Sequence, residues 1–276
     1  MPVAPLSGVD LYYEVHGDLD AGVVPLLLVA GFASDSQSWL PVRQALAAGR
    51  PLILPDNRGS GRTVFTGRTQ GRAQGRDISV RAMAEDCAAL LDHLGVSRVH
   101  VLGHSLGGYI AQDLALRWPE LVDGLVLAAT TAHCSPRSRE LVQGWAADLE
   151  AGMDWAPWYR EVFQWIFTKR LLDNPAQLDV AVQYAVDYPY PSTLEDVRAQ
   201  ARAILDFDRR VDLPGLQART LVLCGAEDIL FPPEESRELE AIPGARTEIV
   251  NGAAHSIHME QPEAFVRSVL GFLDQS

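Results

Sequence analysis

One stretch of sequence constrains the fold of this chain more than any other. Arg98–Leu102 is a short apolar run typical of a buried strand, and Gly108–Trp118 has helical spacing and ends before Pro119. Between them lies Gly103-His104-Ser105-Leu106-Gly107, so a G-x-S-x-G pattern follows a strand and precedes a helix. Glycines are needed beside such a serine because side chains there would clash with the sharp turn. This context predicts a nucleophile elbow that presents the Ser105 hydroxyl to a cleft.

The rest of the chain alternates strand-like with helix-like runs, which predicts an α/β fold with a mostly parallel central sheet flanked by helices. Further strands are predicted at Val9–Val15, Pro25–Ala30, Pro51–Pro55, Gly124–Ala129, Thr220–Cys224 and Thr247–Val250. Further helices are predicted at Val80–Leu94, Glu234–Ala241 and Pro262–Leu273. The first of these helices is expected to end at Gly95, as helices often do at glycine.

The interval from Thr131 to Asp212 lacks strand-like runs and holds four of the six tryptophans. We predict that residues 131–212 form a helical lid (cap) inserted into a core domain made of residues 1–130 and 213–276. Most of these tryptophans are expected to form the core of the lid itself, while one or two face the pocket.

The net charge of −13 and the pI of about 4.9 argue against a nucleic-acid surface and against attraction to anionic lipid. No signal peptide and no membrane-spanning run is recognised in the sequence, and the three cysteines form no CxxC pair. A cytoplasmic location is therefore expected. The arginine-containing segment Gly67–Arg76 is interpreted as a solvated loop, and steering of an anionic substrate is the alternative.

A serine hydroxyl needs a positioned base, which is itself oriented by an acid, and in elbow-containing folds the chain order is serine, acid, histidine. His255 follows a predicted strand on a loop that can reach the edge of the sheet, so it is the favoured base, with His258 as the alternative. Asp228 follows the preceding predicted strand and is the favoured acid, with the neighbouring Glu227 interpreted as a solvated carboxylate.

The oxyanion of an acyl-transfer intermediate needs two donors, which we assign to the backbone amides of Leu106 and Phe32. Phe32 lies on the loop after the strand Pro25–Ala30. Further residues are predicted to line the substrate pocket: Gly31, His104, Trp158, Trp165, Ile229 and His258.

With these residues in order, the sequence resembles the α/β-hydrolase superfamily over nearly its full length. The resemblance rests on Asp56-Asn57-Arg58-Gly59-Ser60-Gly61-Arg62, on Gly103–Gly108, and on Gly252–His255 with Glu260–Glu263. It is closest to single-domain bacterial members such as esterases, 3-oxoadipate enol-lactonases and cofactor-free haloperoxidases. It implies a triad of Ser105, Asp228 and His255, a small-molecule substrate, no cofactor and no metal. Many relatives have His-Gly where this chain has Ala30-Gly31.

The function expected from this resemblance is hydrolysis of a carboxylic ester or lactone through an acyl-enzyme. A small to medium, mostly apolar substrate is expected from the aromatic and aliphatic lid. The alternatives on the same triad are a C–C bond hydrolase or lyase and a cofactor-free perhydrolase, and a non-catalytic ligand receptor is the alternative from another class. The sequence leaves the physiological substrate and the oligomeric state open.

Overall fold

A nine-stranded sheet is the frame of residues 2–66 and 77–275, which are the residues that the computed structural model describes. Its strands are β1 Val3–Leu6, β2 Val9–His16, β3 Leu26–Val29, β4 Leu52–Pro55, β5 Val64–Phe65, β6 Val99–His104, β7 Val122–Ala128, β8 Arg219–Gly225 and β9 Arg246–Val250. The arginine-containing segment Gly67–Arg76 lies outside the described residues.

The strand order is β1-β2-β4-β3-β6-β7-β8-β9, and β5 pairs with β2. β4, β3 and β6 to β9 are parallel to one another, whereas β2 pairs antiparallel with β1, β4 and β5. The carboxyl ends of the parallel strands therefore lie along one edge of the sheet, which is where α/β folds place their ligands. The predicted α/β fold with a mostly parallel sheet is confirmed.

Helices connect and cover these strands. The α-helices are α1 Leu40–Ala47, α2 Val80–His93, α3 Leu106–Arg117, α4 Pro136–Glu150, α5 Trp155–Ile166, α6 Lys169–Leu172, α7 Pro175–Val186, α8 Leu194–Leu205, α9 Pro233–Ser236, α10 Ile257–Glu260 and α11 Pro262–Leu273. Short 3₁₀ helices lie at Ser36–Trp39, Leu213–Gly215 and Arg237–Ala241. Among the described helices, none has both the length and the apolar character needed to cross a bilayer.

Alternation along the strands divides the interior into two cores. On β3, Leu27 and Val29 point into one core, whereas Leu26 and Leu28 point into the other. The first core includes buried residues of α2, α3, α4, α5 and α8, and the second includes those of α1 and α11. Strands buried on both faces need continuous apolar runs, which is why β3 and β4 have no polar position.

The structure differs from the sequence prediction in a few elements. β1 was not predicted, because Pro5 interrupts its short apolar run; the strand is at the sheet's edge, where proline is tolerated. The helix expected at Glu234–Ala241 is instead the single turn α9 followed by the 3₁₀ helix Arg237–Ala241. The helix expected to begin at Gly108 begins two positions earlier, at Leu106.

Five helices, α4 to α8, lie between β7 and β8, and we call them the α4–α8 segment. The two ends of this segment meet, because His133 and Asp208 form an antiparallel bridge. The amide of Arg209 also donates to the carbonyl of Ala132 at 2.9 Å. The segment thus leaves and rejoins the core at one place.

Candidate active site

Ser105 occupies a strained turn between β6 and α3. Its backbone angles are φ 56° and ψ −121°, in the left-handed region that non-glycine residues rarely adopt. Its amide donates to the carbonyl of Ala128 at 2.9 Å, and its carbonyl accepts from the Thr130 hydroxyl at 2.9 Å. These bonds hold the strained residue where the predicted elbow requires it.

The glycines around Ser105 allow backbones to approach closely. A Cβ atom on Gly103 would lie 2.2 Å from the carbonyl oxygen of Gly107, and one on Gly107 would lie 2.1 Å from that of Val29. A Cβ on Gly108 would lie 2.5 Å from the side chain of Thr130. Only glycine fits at these three positions, so the glycine spacing has the steric cause that the sequence predicts.

His255 and Asp228 lie together on the loops that follow β9 and β8. Nδ1 of His255 is 2.9 Å from Oδ2 of Asp228, and both side chains are almost fully buried. The other carboxylate oxygen accepts from the amides of Leu230 and Phe231 at 2.9 Å each. A carboxylate held in this way accepts the Nδ1 proton and leaves Nε2 of His255 as the basic nitrogen.

Two polar side-chain groups at this edge of the sheet make no hydrogen bond within the described residues. Within residues 2–66 and 77–275, neither Nε2 of His255 nor the hydroxyl of Ser105 makes a hydrogen bond. In the unliganded form of a catalytic site the bond between nucleophile and base is often long. Both groups are thus available for a bound molecule.

The alternative acid and base lie elsewhere. Glu227 is exposed, and its amide donates to the carbonyl of Ala253 at 2.9 Å. His258 is buried against Trp39, at 4.8 Å between ring centroids, and neither of its ring nitrogens has a partner among the described residues. Burial, and then the nearby His255, lower the pKa of His258 to about 3. The structure thus brings Asp228 and His255 together, whereas Glu227 is exposed and His258 is buried without a hydrogen bond among the described residues.

His104 has a contact that sequence reasoning missed. Its Nε2–H donates to the carbonyl of His255 at 2.9 Å, and its ring lies 5.0 Å from the His255 ring and 4.7 Å from the His258 ring. Burial lowers the pKa of His104 well below its ordinary value, and the two neighbouring histidines lower it further. His104 is therefore neutral, and its hydrogen bond holds the backbone carbonyl of His255.

The two predicted oxyanion donors are free. Leu106 is the first residue of α3, and Phe32 lies on the loop after β3. Within the described chain, neither backbone amide donates a hydrogen bond. Gly31 packs against the elbow, because a Cβ atom there would lie 3.2 Å from Cβ of Ser105.

The other predicted pocket residues differ in exposure. Trp158 is buried, and its indole N–H donates to the carbonyl of Trp145 at 2.8 Å. Trp165 is partly exposed, with the guanidinium of Arg137 5.6 Å from its ring centroid, and Ile229 is 47% exposed. The rings of Trp145 and Trp158 both contact Phe32, with centroid distances of 6.3 and 6.4 Å. That Trp158, Trp165 and Ile229 line a substrate pocket stays a prediction.

The comparisons with known proteins decide the family. A family model described as alpha/beta hydrolase fold matches residues 24–262. This chain belongs to the alpha/beta hydrolase family. The resemblance stated from the sequence is therefore confirmed, and the chain is a hydrolytic enzyme of that family.

Three similar alpha/beta hydrolases illustrate the range of named activities. The chain is 34% identical to a protein of Azorhizobium caulinodans named "Putative carbamate hydrolase RutD", over 99% of this chain and 98% of the other. It is 31% identical to a protein of Mycobacterium tuberculosis named "Putative non-heme bromoperoxidase BpoC", over 96% and 97%. The solved enol-lactonase of Burkholderia xenovorans has a TM-score of 0.86 and 25% identity, covering 99% of this chain and 100% of that one.

Sequence reasoning also missed how this alpha/beta hydrolase supports the loops that carry Phe32 and His255. Asn57 donates its side-chain amide to the carbonyl of Ala30 at 3.0 Å, just before Phe32. One carboxylate oxygen of Glu260 accepts from the amide and hydroxyl of Thr168 at 2.8 and 2.6 Å, and the other accepts from the amide of Ala254 at 2.8 Å. Asn57 and Glu260 belong to the motifs that carry the resemblance, but the motifs do not show what these side chains contact.

Proposed function

We propose that this alpha/beta hydrolase cleaves a carboxylic ester or lactone through an acyl-enzyme on Ser105. The observation that carries the proposal is the strained Ser105 at the carboxyl end of β6, whose neighbour His104 donates to the carbonyl of His255 at 2.9 Å, together with the His255–Asp228 pair, in which Nδ1 and Oδ2 are 2.9 Å apart. A nucleophile on a sharp turn and an oriented histidine are what serine-dependent acyl transfer requires.

In the proposed reaction, Oγ of Ser105 attacks the substrate carbonyl carbon while Nε2 of His255 takes the hydroxyl proton. Asp228 stabilises the imidazolium through its hydrogen bond to Nδ1. The negative oxygen of the tetrahedral intermediate accepts from the amides of Phe32 and Leu106. His255 then returns the proton to the leaving alkoxide, and the acyl group remains on Ser105.

Deacylation uses water as the second nucleophile. His255 takes a proton from water, the hydroxide attacks the acyl carbon, and the serine leaves with the proton that His255 returns. The products are a carboxylic acid and an alcohol, or a single hydroxy acid from a lactone.

We further propose that residues 131–212 act as a lid over this site and that residues 1–130 and 213–276 form the core domain. Support comes from the His133–Asp208 bridge, where the α4–α8 segment leaves and rejoins the core. The rings of Trp145 and Trp158 beside Phe32 favour a substrate with an apolar part next to the oxyanion loop. A cytoplasmic location stays a prediction.

A carbamate is the second candidate substrate, and the name of the 34% identical relative favours it. Carbamates and esters share the electrophilic carbonyl, so the same attack by Ser105 and the same oxyanion donors would serve both. A carbamate would differ in releasing an amine together with carbon dioxide after hydrolysis.

Active-site labelling combined with a substrate panel tests the proposal. A fluorophosphonate probe should label the wild-type chain and fail to label Ser105→Ala, because the probe phosphonylates an activated serine. Among p-nitrophenyl esters, lactones and carbamates, the esters or lactones should give the highest kcat/KM. The absence of labelling on a folded wild-type chain would contradict the proposal, and a preference for carbamates would move it to the second candidate.

A further inference from the structure

The loop that carries Phe32 is strained directly after that residue. Ala33 has φ 48°, in the left-handed region that an alanine rarely adopts because its Cβ crowds the backbone. Such a conformation persists only where neighbouring groups hold it. The contacts that hold Ala33 therefore constrain the backbone of its neighbour Phe32.

Gln200 of α8 makes the hydrogen bond that holds Ala33. Its side-chain oxygen accepts from the Ala33 amide at 2.8 Å, across 167 positions of sequence. Gln200 is 1% exposed, so this bond forms away from solvent. No part of the Gln200 side chain is needed to complete α8 itself, since the backbone bonds of the helix do not use it.

The other end of the Gln200 carboxamide is fixed as well. Its nitrogen donates to the carbonyl of Gly59 and to the hydroxyl of Ser60, both at 2.9 Å. These two acceptors set the orientation of the amide group, so its oxygen faces Ala33. Because Asn57 of the same loop holds the carbonyl of Ala30, Phe32 lies between two anchored positions.

We propose that Gln200 is a positioning residue for the reaction, one that aims the Phe32 amide at the carbonyl oxygen over Ser105 by fixing Ala33. The inference rests on the proposed acyl transfer and on Phe32 as an oxyanion donor. It assigns to the α4–α8 segment a part in transition-state stabilisation beyond any contact with substrate.

A donor that is misaimed stabilises the transition state less but affects ground-state binding little. We expect Gln200→Met, which keeps the volume and loses the amide, to lower kcat on a p-nitrophenyl ester by about 10- to 100-fold. KM should change by less than about threefold. A trifluoromethyl ketone, which forms a tetrahedral oxyanion on the serine, should bind more weakly by about the same factor as kcat falls.

Ser192→Ala is the matched control. The Ser192 hydroxyl donates to the same Gly59 carbonyl at 3.2 Å, and its only hydrogen bond to the core is that one, among the described residues. Its loss should loosen the attachment of the segment with kcat and inhibitor binding within about twofold of wild type. The inhibition constant depends only on molecules that are folded, so partial unfolding of Gln200→Met would not imitate the effect.

Two results would overturn the inference. One is a Gln200→Met variant with kcat and inhibitor binding within about twofold of Ser192→Ala. The other is a variant whose KM rises as much as its kcat falls, which would make Gln200 a binding or folding residue. Fluorophosphonate labelling of the wild type is measured in parallel: labelled wild type with an unaffected Gln200 variant contradicts the inference alone, whereas unlabelled wild type contradicts the proposed function and the inference together.

Discussion

The elbow that carries Ser105 and the loops that carry Phe32 and His255 are held in place in different ways. The elbow is held by Ala128 at the end of β7, by Thr130 two positions further on, and by glycines that let α3 approach β6. The two loops have core contacts as well, from Asn57 and His104, but they also have bonds to the α4–α8 segment, from Gln200 on one side and from Thr168 through Glu260 on the other. The proposed nucleophile Ser105 is thus placed locally, whereas the proposed partner groups also have contacts with a distant part of the chain.

The largest effect should come from the histidine loop. We expect His255→Ala to lower kcat on a p-nitrophenyl ester by about 10⁴- to 10⁶-fold, because the proton from Ser105 then has no acceptor. The double variant with Ser105→Ala should be no less active than either single variant, since the triad acts as one unit.

His93→Ala is the control for that measurement, because His93 is exposed on α2, and its steady-state kinetics should match those of the wild type. If His255→Ala kept its activity while His258→Ala lost it, the base would be His258. The comparison between the elbow and the loops would then have to be made with His258 in place of His255.

The elbow should tolerate less steric change than the α4–α8 segment. Gly107→Ala should lower the free energy of unfolding by about 3 kcal/mol or more, because the added methyl overlaps the carbonyl of Val29. Gly144→Ala in α4 should raise it by about 0.5–1 kcal/mol, because alanine favours a helix and the methyl meets open space. Urea denaturation measures the free energy of unfolding of both variants. Equal changes would show that the elbow tolerates an added methyl group as well as α4 does.

The buried His258 should make the protein less stable in acid. Burial lowers the pKa of His258 to about 3, so between pH 3 and 6.5 the unfolded chain binds a proton that the folded chain does not. The free energy of unfolding should therefore fall as the pH falls through this window, by up to about 1.4 kcal/mol per pH unit for His258. Urea denaturation of His258→Phe between pH 4.5 and 7 should show a smaller slope, and an unchanged slope would contradict this account.

The smallest effect should come from the Glu260 carboxylate, one of the contacts that join the segment to the histidine loop. Glu260→Gln keeps the shape but loses one of the two acceptor oxygens that join Thr168 to Ala254. We expect a loss of about 1–2 kcal/mol in the free energy of unfolding and a severalfold lower kcat. Glu263→Gln, at an exposed position of α11, is the control and should change neither.

The difference between elbow and loops also explains how far the sequence could be interpreted. The elbow was predictable because its strand, glycines and helix are consecutive in the sequence. The sheet was predictable because strand-like runs alternate with helix-like runs along the chain. The pairing of His255 with Asp228 followed from chain order, although only the structure separates Asp228 from Glu227. The contacts of Gln200 and Glu260 could not be predicted, because they join residues 167 and 92 positions apart and no periodic pattern marks their partners.

The bridge between His133 and Asp208 has a consequence for how such enzymes diversify. An insertion whose ends meet can be exchanged or lengthened by recombination without changing the spacing of β7 and β8. In this chain, however, the α4–α8 segment contacts one loop through Gln200 and the other through Thr168 and Glu260. A transplanted segment without side chains equivalent to Gln200 and Thr168 would leave Ser105 in its turn. The loops that carry Phe32 and His255 would then lack these contacts.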